Sequence, residues 1–442
     1  MEDVGRLKVQ CFKGDSYVPV DKVKVTVEPS RNSNTGNSKI DLSTDSSGLT
    51  STIDVNAPSL AYSQEPSDNL PYGLYDITVA RDGFDDVAVR GVQIFPESTA
   101  LQKINLIESG NRASRADIII ILPNTLNGNY PSKIPEAAEK PLPPPSSGVV
   151  LPKPVVPEFI TVHQGSPDDA SAPNVRVEYK EYIKNVASCE IYSTWPQTTI
   201  RANLFCIISF TLNRIYTEWY RGKGKNFDLT NSTAYDHAFN YGRNIYDNIS
   251  AIADEIFSTY VRRFGRKQPL LTQYCDGKNV SCPDWLSQWG SKYLGDQGKV
   301  PYEILTNYYG DDIELTTAEV VKGSPSSYPG YDLTLGSEGE PVKTIQSQLN
   351  RISQNYPLIK KVAVDGVYGQ STAEAVKTFQ GIFNLPQTGV VDYATWYQIS
   401  NIYVGVTRIA ELRYENLFYP PMNIGSSTRG VVEIPHFSYP TV

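Results

Sequence analysis

Apolar and polar positions alternate with period two through the first hundred residues. The runs RLKVQCF (6–12), KVKVTVEP (22–29), GLYDITVARDGF (73–84), VAVRGVQIF (87–95) and ALQKINLI (100–107) are bounded by Gly, Asp, Asn or Pro. A strand with one buried face reads this way. The regular short spacing predicts an antiparallel β-sandwich over residues 1–107. No cluster of His, Cys or carboxylates stands out in it. Its expected role is binding, folding assistance or masking, or that of a plain structural module.

The pattern breaks at residue 108. After ESGNRASR and a short apolar strand comes PSKIPEAAEKPLPPPSSGVVLPKPVVPEF. Proline at this density excludes helix and sheet interior. Residues 108–157 therefore read as an extended, semi-rigid linker, open to proteases. A spacer and an activation site are both compatible with it.

From 158 to 318 the period lengthens. After a strand, EFITVHQ, the segment VEYKEYIKNVASCE places Tyr179, Tyr182, Ile183, Val186 and Ala187 at helical spacing. A second helix carries Ile200, Leu204, Ile208, Leu212, Ile215 and Trp219 on one stripe, with Pro196 near its first turn. A third helix (NISAIADEIFSTYV), a strand (QPLLTQYC) and a last helix (VPYEILTNYYG) complete a central α+β unit. Residues 319–331 form a Gly/Ser/Pro/Tyr linker and 332–404 a compact domain. The tail, 405–442, has short apolar stretches broken by prolines and either packs on another domain or is removed.

Composition adds mainly exclusions. The 442 residues are enough for two to four domains. Net charge is −8 with no basic block, so no nucleic-acid partner is expected. The longest apolar runs, IIIIL (118–122) and LFCIISF (204–210), are too short to span a bilayer, and no membrane partner is expected. The N-terminal MEDVGRLKVQCFKGDS lacks the apolar stretch of a secretory signal. The 29 Tyr fit sugar stacking and β structure equally. Five cysteines are scattered; Cys275 and Cys282, close in sequence, are bridged, share a metal or are free thiols. His163, His237 and His436 are too dispersed for a zinc signature. No metal and no cofactor are expected.

One carboxylate is out of place. Glu190 in KNVASCEIYSTWP lies seven and four residues beyond Ile183 and Val186, on the apolar face of its helix and at its C-terminal end. Burial disfavours the charged form, and the negative end of the helix dipole acts in the same direction. A carboxyl raised towards neutrality serves as a general acid. The same spacing is met by a Glu that salt-bridges Lys184 or Arg201, or caps the next helix.

The stretch Leu335–Ile399 contains LGSEGEPV, IQSQLN, VDGVYGQST, AVKTFQ, LPQTGVVD and a TW pair. Most of these are core and turn residues, with Ser371 or Thr372 and Asp392 as helix caps. Together they resemble the small helical peptidoglycan-binding domain of cell-wall hydrolases. That resemblance implies a glycopeptide ligand, with Tyr368, Gln380 and Asp365 bordering the expected groove.

In the central unit, EYIKNVASCEIYSTWP and WLSQWGSKYLGDQGKVPYEILTNYYG carry Ser287, Gln288, Trp289, Gly290, Gly298, Ile304, Leu305, Tyr308 and Tyr309. These resemble the stage II sporulation protein D family of lytic transglycosylases, and its catalytic Glu matches Glu190. Thr198, Arg201, Asn203 and Ile208 stand where the family usually has Glu, Lys, Gln and Arg. The His and two Cys that bind zinc in some members are not assembled here. Ser287 and Gln288 are candidate cleft residues and Tyr235 a candidate sugar stacker. Tyr308 shares that role, while Trp289 and Tyr309 fit the core. Asp228 and Asp236 are candidate substrate-contact or structural carboxylates.

The order of sandwich, proline-rich linker, central unit and wall-binding domain resembles the clostridial-type spore cortex-lytic enzymes. The resemblance implies a zymogen in the cortex and coat region of the dormant spore, outside the spore core. Its partners are cortex peptidoglycan and subtilisin-like germination proteases, with a cut near SSGVVLPKP. A hydrolytic glycosidase normally needs two carboxylates. A lytic transglycosylase manages with one, which protonates the glycosidic oxygen and then takes the proton of the muramic C6 hydroxyl as a 1,6-anhydro ring closes. A wall amidase, a hydrolytic glycosidase and a non-catalytic wall-binding protein are the competing classes.

Overall fold

The computed structural model describes residues 3–31, 39–109, 117–138, 153–280 and 282–407. The cut expected near SSGVVLPKP falls mostly outside the described residues, as does the tail beyond 407.

Among the described residues the N-terminal part holds eight strands: β1 (Asp3–Lys13), β2 (Lys24–Pro29), β3 (Ile40–Ser43), β4 (Ile53–Ala57), β5 (Gly73–Ala80), β6 (Val87–Ile94), β7 (Thr99–Leu106) and β8 (Asp117–Ile120). Period two drives them: Val25 and Val27 in β2, and Tyr75, Ile77 and Val79 in β5, are buried while their neighbours are not. One sheet has the order β3-β2-β5-β6-β8 and the other contains β7-β1-β4. Leu7, Val9 and Cys11 of the second sheet share one hydrophobic cluster with Val25, Ile77 and Val89 of the first. Pairing is not antiparallel throughout, since β1 runs parallel to β7 and β6 to β8. Alternation marks a strand with one buried face; it carries no information about strand direction.

Next come β9 (Val155–Val156), β10 (Phe159–His163), β11 (Asn174–Glu178), helix α1 (Tyr179–Glu190) and helix α2 (Gln197–Tyr216). Short β12 (Leu229–Thr230) joins β10 and β11 in a three-stranded sheet. β13 (Ile245–Tyr246) leads into α3 (Asp247–Ile256) and β14 (Thr259–Arg263). The predicted third helix therefore stops early, and its last residues form a strand. That strand pairs with β17 (Ile313–Thr317), after β15 (Tyr274–Cys275), β16 (Leu286–Ser287), α4 (Gln288–Asp296) and α5 (Pro301–Tyr309). Residues 199–214 of α2 are buried on nearly every side, so this helix is the spine of the unit rather than an amphipathic cover.

β18 (Val320–Val321) pairs with β9, and the C-terminal helices α6 (Glu340–Ile352), α7 (Gln370–Ile382) and α8 (Tyr393–Thr407) follow. Val342, Ile345, Leu349, Val376, Phe379 and Ile399 form their buried seam.

The parts are stitched together. β13 completes the second N-terminal sheet by pairing with β7. The start of α1 sits among all three parts. Glu178 accepts from Tyr17 (2.7 Å) and Asn401 (3.1 Å), Glu181 pairs with Lys103 (2.9 Å), and Lys180 donates to Gln398 (2.9 Å). Lys180 and Lys184 both pair with buried Asp254, at 3.0 and 2.6 Å. Burial alone would raise the Asp254 carboxyl; the two ammonium charges outweigh it and hold it below the usual range.

Among the described residues no helix is long and apolar enough to cross a membrane.

Candidate active site

Glu190 is the last residue of α1 and is 3% exposed. Its Oε1 accepts the Ala238 N–H at 2.6 Å, and its Oε2 accepts the Tyr274 hydroxyl. Burial raises its carboxyl to about 7, against the opposing charge of Lys133 and the hydrogen bonds from Tyr274 and Ala238. The salt-bridge alternatives do not form, because Lys184 is held by Asp254 and Arg201 by Glu255 (2.7 Å). The next helix has Pro196 at its N-cap, with no side-chain cap.

The supports of Glu190 come from far along the chain. Tyr274 lies on β15, whose pairing with β16 carries the chain into α4. A disulfide between Cys275 and Cys282, with Cα atoms 5.7 Å apart, closes the intervening loop. Gln288, the first residue of α4, donates to the Glu190 carbonyl at 3.1 Å. A Cβ at Gly290 would collide with the Tyr308 hydroxyl and crowd Ser287, so a larger residue there would displace the Tyr308 side chain.

Glu190, Tyr274, Gln288, Thr233 and Asp276 line a cleft of about 420 Å³. Further walls come from Thr125–Lys133, within the stretch expected to be a linker, from Ser67, Asp68 and Leu70 of the N-terminal part, and from the loop after Cys275. Asn124 and Thr125 cap α1: Thr125 N–H donates to the Cys189 carbonyl (2.9 Å), and Asn124 Nδ2 to those of Ser188 (3.4 Å) and Ile191 (3.3 Å). Tyr192 bonds Asn127. Residues 131–138 then run extended along the unit. Ile134 N–H donates to the Ala234 carbonyl (2.8 Å), Gln273 bonds both the Glu136 N–H and the Ile134 carbonyl (2.8 Å each), and Leu271 N–H reaches the Ala138 carbonyl (3.1 Å). Proline density ruled out helix and sheet here but not docking. The Lys133 ammonium bonds the Asp236 carbonyl and lies 4.9 and 5.3 Å from the Phe210 and Tyr274 ring centres. Burial lowers it to about 8, against the pull of Glu190 and Asp236.

The other predicted residues are placed as follows. Gln288 faces the cleft. Ser287 caps α4 by accepting the Gly290 N–H at 3.0 Å. Tyr235 is half-buried, its carbonyl accepting from Arg214 (2.9 Å). Asp228 binds Thr161 N–H (2.8 Å) and Arg221 (2.6 Å), fixing a loop rather than lining the cleft. Buried Asp236 accepts from Arg214 (2.7 Å), Tyr220 (2.8 Å) and Thr230 (2.8 Å). Trp289 packs on Tyr192 and Trp195, and Tyr309 is buried, so both are core. Burial pushes the Cys189 thiol up, which leaves it a poor nucleophile.

In the C-terminal helices, Tyr368 and Gln380 point inward instead of bordering a groove. Tyr368 donates to the Gly389 carbonyl (2.8 Å). Gln380 accepts the Gly389 N–H (2.8 Å) and donates to the Val390 carbonyl (2.9 Å). Both hold the turn before α8. Asp365 does the same for its own turn, accepting from Val367 N–H and Gln346 (2.9 Å each).

Tyr274, the Ala238 amide, Lys133, Arg214 and Glu136 were not singled out from sequence. Each meets its partner only through tertiary folding, and no local spacing marks them. Among the described residues no group of three or more His, Cys, Asp or Glu stands where it could hold a metal ion.

No curated protein and no solved structure matches the chain. Residues 338–399, which include α6, α7 and the first seven residues of α8, match the family model of a peptidoglycan binding domain, which supports peptidoglycan as a partner of this chain.

Proposed function

We propose that the chain is a lytic transglycosylase of spore cortex peptidoglycan, made as a zymogen. The observation that carries this is the environment of Glu190: a buried carboxyl raised to about 7, opening on a cleft, in a chain with a peptidoglycan-binding domain. The two other carboxylates lining that cleft among the described residues are engaged elsewhere. Asp276 accepts the N–H groups of Asn279 (2.9 Å) and Val280 (3.1 Å), and Asp68 faces Lys278 (3.2 Å). One buried carboxyl held near neutrality suits the single-acid reaction. Glu190 gives its proton to the glycosidic oxygen as the bond to C1 of muramic acid breaks. The carboxylate then takes the proton of the C6 hydroxyl, which closes on C1. Tyr274 and the Ala238 amide steady the carboxylate between the two transfers.

The zymogen reading is supported by Thr125–Lys133, which walls the cleft, and by the proline-rich stretch that follows it. A cut there by subtilisin-like germination proteases, and a location in the cortex and coat region, rest on the resemblance in domain order. The N-terminal sheets are read as a sandwich that carries this segment.

The test is mass spectrometry of muropeptides released from cortex by the chain cut between 139 and 152. We expect 1,6-anhydromuramic ends, and none from the Glu190→Gln variant. Reducing ends, or released peptides, would instead indicate a hydrolase or an amidase.

A further inference from the structure

His237 lies beside the acid but has no part in the reaction described so far. It is fully buried. Its Nδ1 and the Tyr182 hydroxyl are hydrogen-bonded at 2.9 Å. Its Nε2 has no hydrogen-bond partner among the described residues. The ring packs against Phe210 and Tyr274, with centroids 4.6 and 5.9 Å away, and is nearly parallel to Tyr274 (11°). A buried ring nitrogen without a partner costs stability. A phenyl ring would fill the same space without that cost, so it is the Nδ1 contact that distinguishes histidine at this place.

That contact adjoins the bond that holds the acid. The peptide unit whose N–H reaches Glu190 Oε1 at 2.6 Å joins His237 to Ala238. The unit is planar and rigid, so the place of His237 decides where that N–H points. Tyr182 and Glu190 both belong to α1, eight residues or about 12 Å apart along its axis. One helix therefore supplies the acid and also anchors the residue that carries its donor. The flanks of the segment are held separately. Asp236 is bonded by Arg214, Tyr220 and Thr230, and Asn240 exchanges two bonds with Asn185 of α1 (2.9 and 3.1 Å).

We propose that His237 is a positioning residue for the general acid: its Nδ1 bond to Tyr182 aims the Ala238 N–H at the Glu190 carboxyl. This rests on the reading of Glu190 as a glycan-cleaving acid. His237 acts through the peptide and not on the substrate. Burial, with the charges of Lys133 and Arg214, holds its imidazole well below the usual range, so it stays neutral where Glu190 titrates. The other titratable groups facing the pair are Tyr130 and Lys133, Tyr182 and Cys189 of α1, and Tyr274 of β15. Of these the test alters only Tyr182.

The experiment uses the full chain and reads Glu190 in two ways. Its titration midpoint comes from the infrared band of the protonated carboxyl, identified by its loss in Glu190→Gln. Its chemistry comes from the pH profile of muropeptide release by the same chain cut between 139 and 152. His237→Phe keeps the ring packing and deletes Nδ1. We expect the midpoint to rise from about 7 by about one pH unit, because a donor to the charged form is lost. The falling limb of the pH profile should move up with it. Tyr182→Phe should give the same rise, and the double variant no more than either. A midpoint unmoved in folded His237→Phe or Tyr182→Phe overturns the assignment, and so does a double variant that shows the sum of the two rises. If His237→Phe does not fold, Tyr182→Phe decides alone. Failure of the glycan-cleaving reading shows separately: the midpoint moves as expected while cortex lysis is undiminished by Glu190→Gln.

Discussion

The hydroxyl of Tyr274 reaches the Glu190 carboxyl across 84 residues of chain and donates to its Oε2, while the Ala238 amide donates to Oε1. Both bonds favour the ionised form. Burial favours the neutral form more strongly, and the balance leaves the group near neutrality.

Replacing Glu190 by Gln should lower cortex lysis by about 10²–10⁴-fold, the usual contribution of a positioned acid. The proposed lysis by the native chain should slow as pH rises through about 7, as the proton is lost. Stability gives an independent check. A carboxyl raised in the folded state binds its proton more tightly there than when unfolded. Stability therefore declines between the ordinary value of 4.5 and about 7. Glu190→Gln removes that cost, so in urea denaturation it should gain roughly 3 kcal/mol above pH 7 and nothing below pH 4.

Tyr274→Phe removes a donor to the carboxylate. The inflexion in the pH–rate profile should move to higher pH, with the fold retained. An unmoved inflexion would mean that the bond does not tune Glu190.

Lys133 and Glu136 hold residues 131–138 in place, through the Asp236 carbonyl and through Arg214. The uncut Lys133→Ala/Glu136→Ala chain should release muropeptides that the uncut native chain does not. Chromatography of the soluble products measures this directly.

Asp254→Ala leaves the Lys180 and Lys184 ammonium groups facing each other without their shared carboxylate. The loss should be roughly 3–5 kcal/mol in chemical denaturation at pH 7. Because the folded carboxyl is depressed, its contribution is complete above about pH 4 and lost as pH falls through the lower folded value. The difference between variant and native chain should therefore shrink in acid.

The inward placement of Glu190 was legible, because helical spacing from Ile183 and Val186 fixes its face. Its partners were not, since Tyr274 and Ala238 arrive from other elements and no local pattern encodes that meeting. Residues 131–138 have neither helix nor strand, but their prolines do not foretell that they are docked. Extended backbone can still bond to a groove, and composition says nothing about whether a groove is waiting. Tyr368 and Gln380 sit in recognisable turns, yet a polar side chain beside a turn serves the turn as readily as a ligand. Strand direction in the N-terminal sheets was invisible for the reason that alternation records faces and not polarity.

The contacts of Lys180 with Gln398 and of Glu178 with Asn401 tie the peptidoglycan-binding helices to the helix that ends in Glu190. A module so attached is not a loose tether that merely raises local substrate concentration. Under the proposed reaction it would set a constant offset between the grip on the wall and the bond that breaks, so the cleft would measure along a strand instead of sampling it. Fragments cut from long glycans should then cluster around a preferred length.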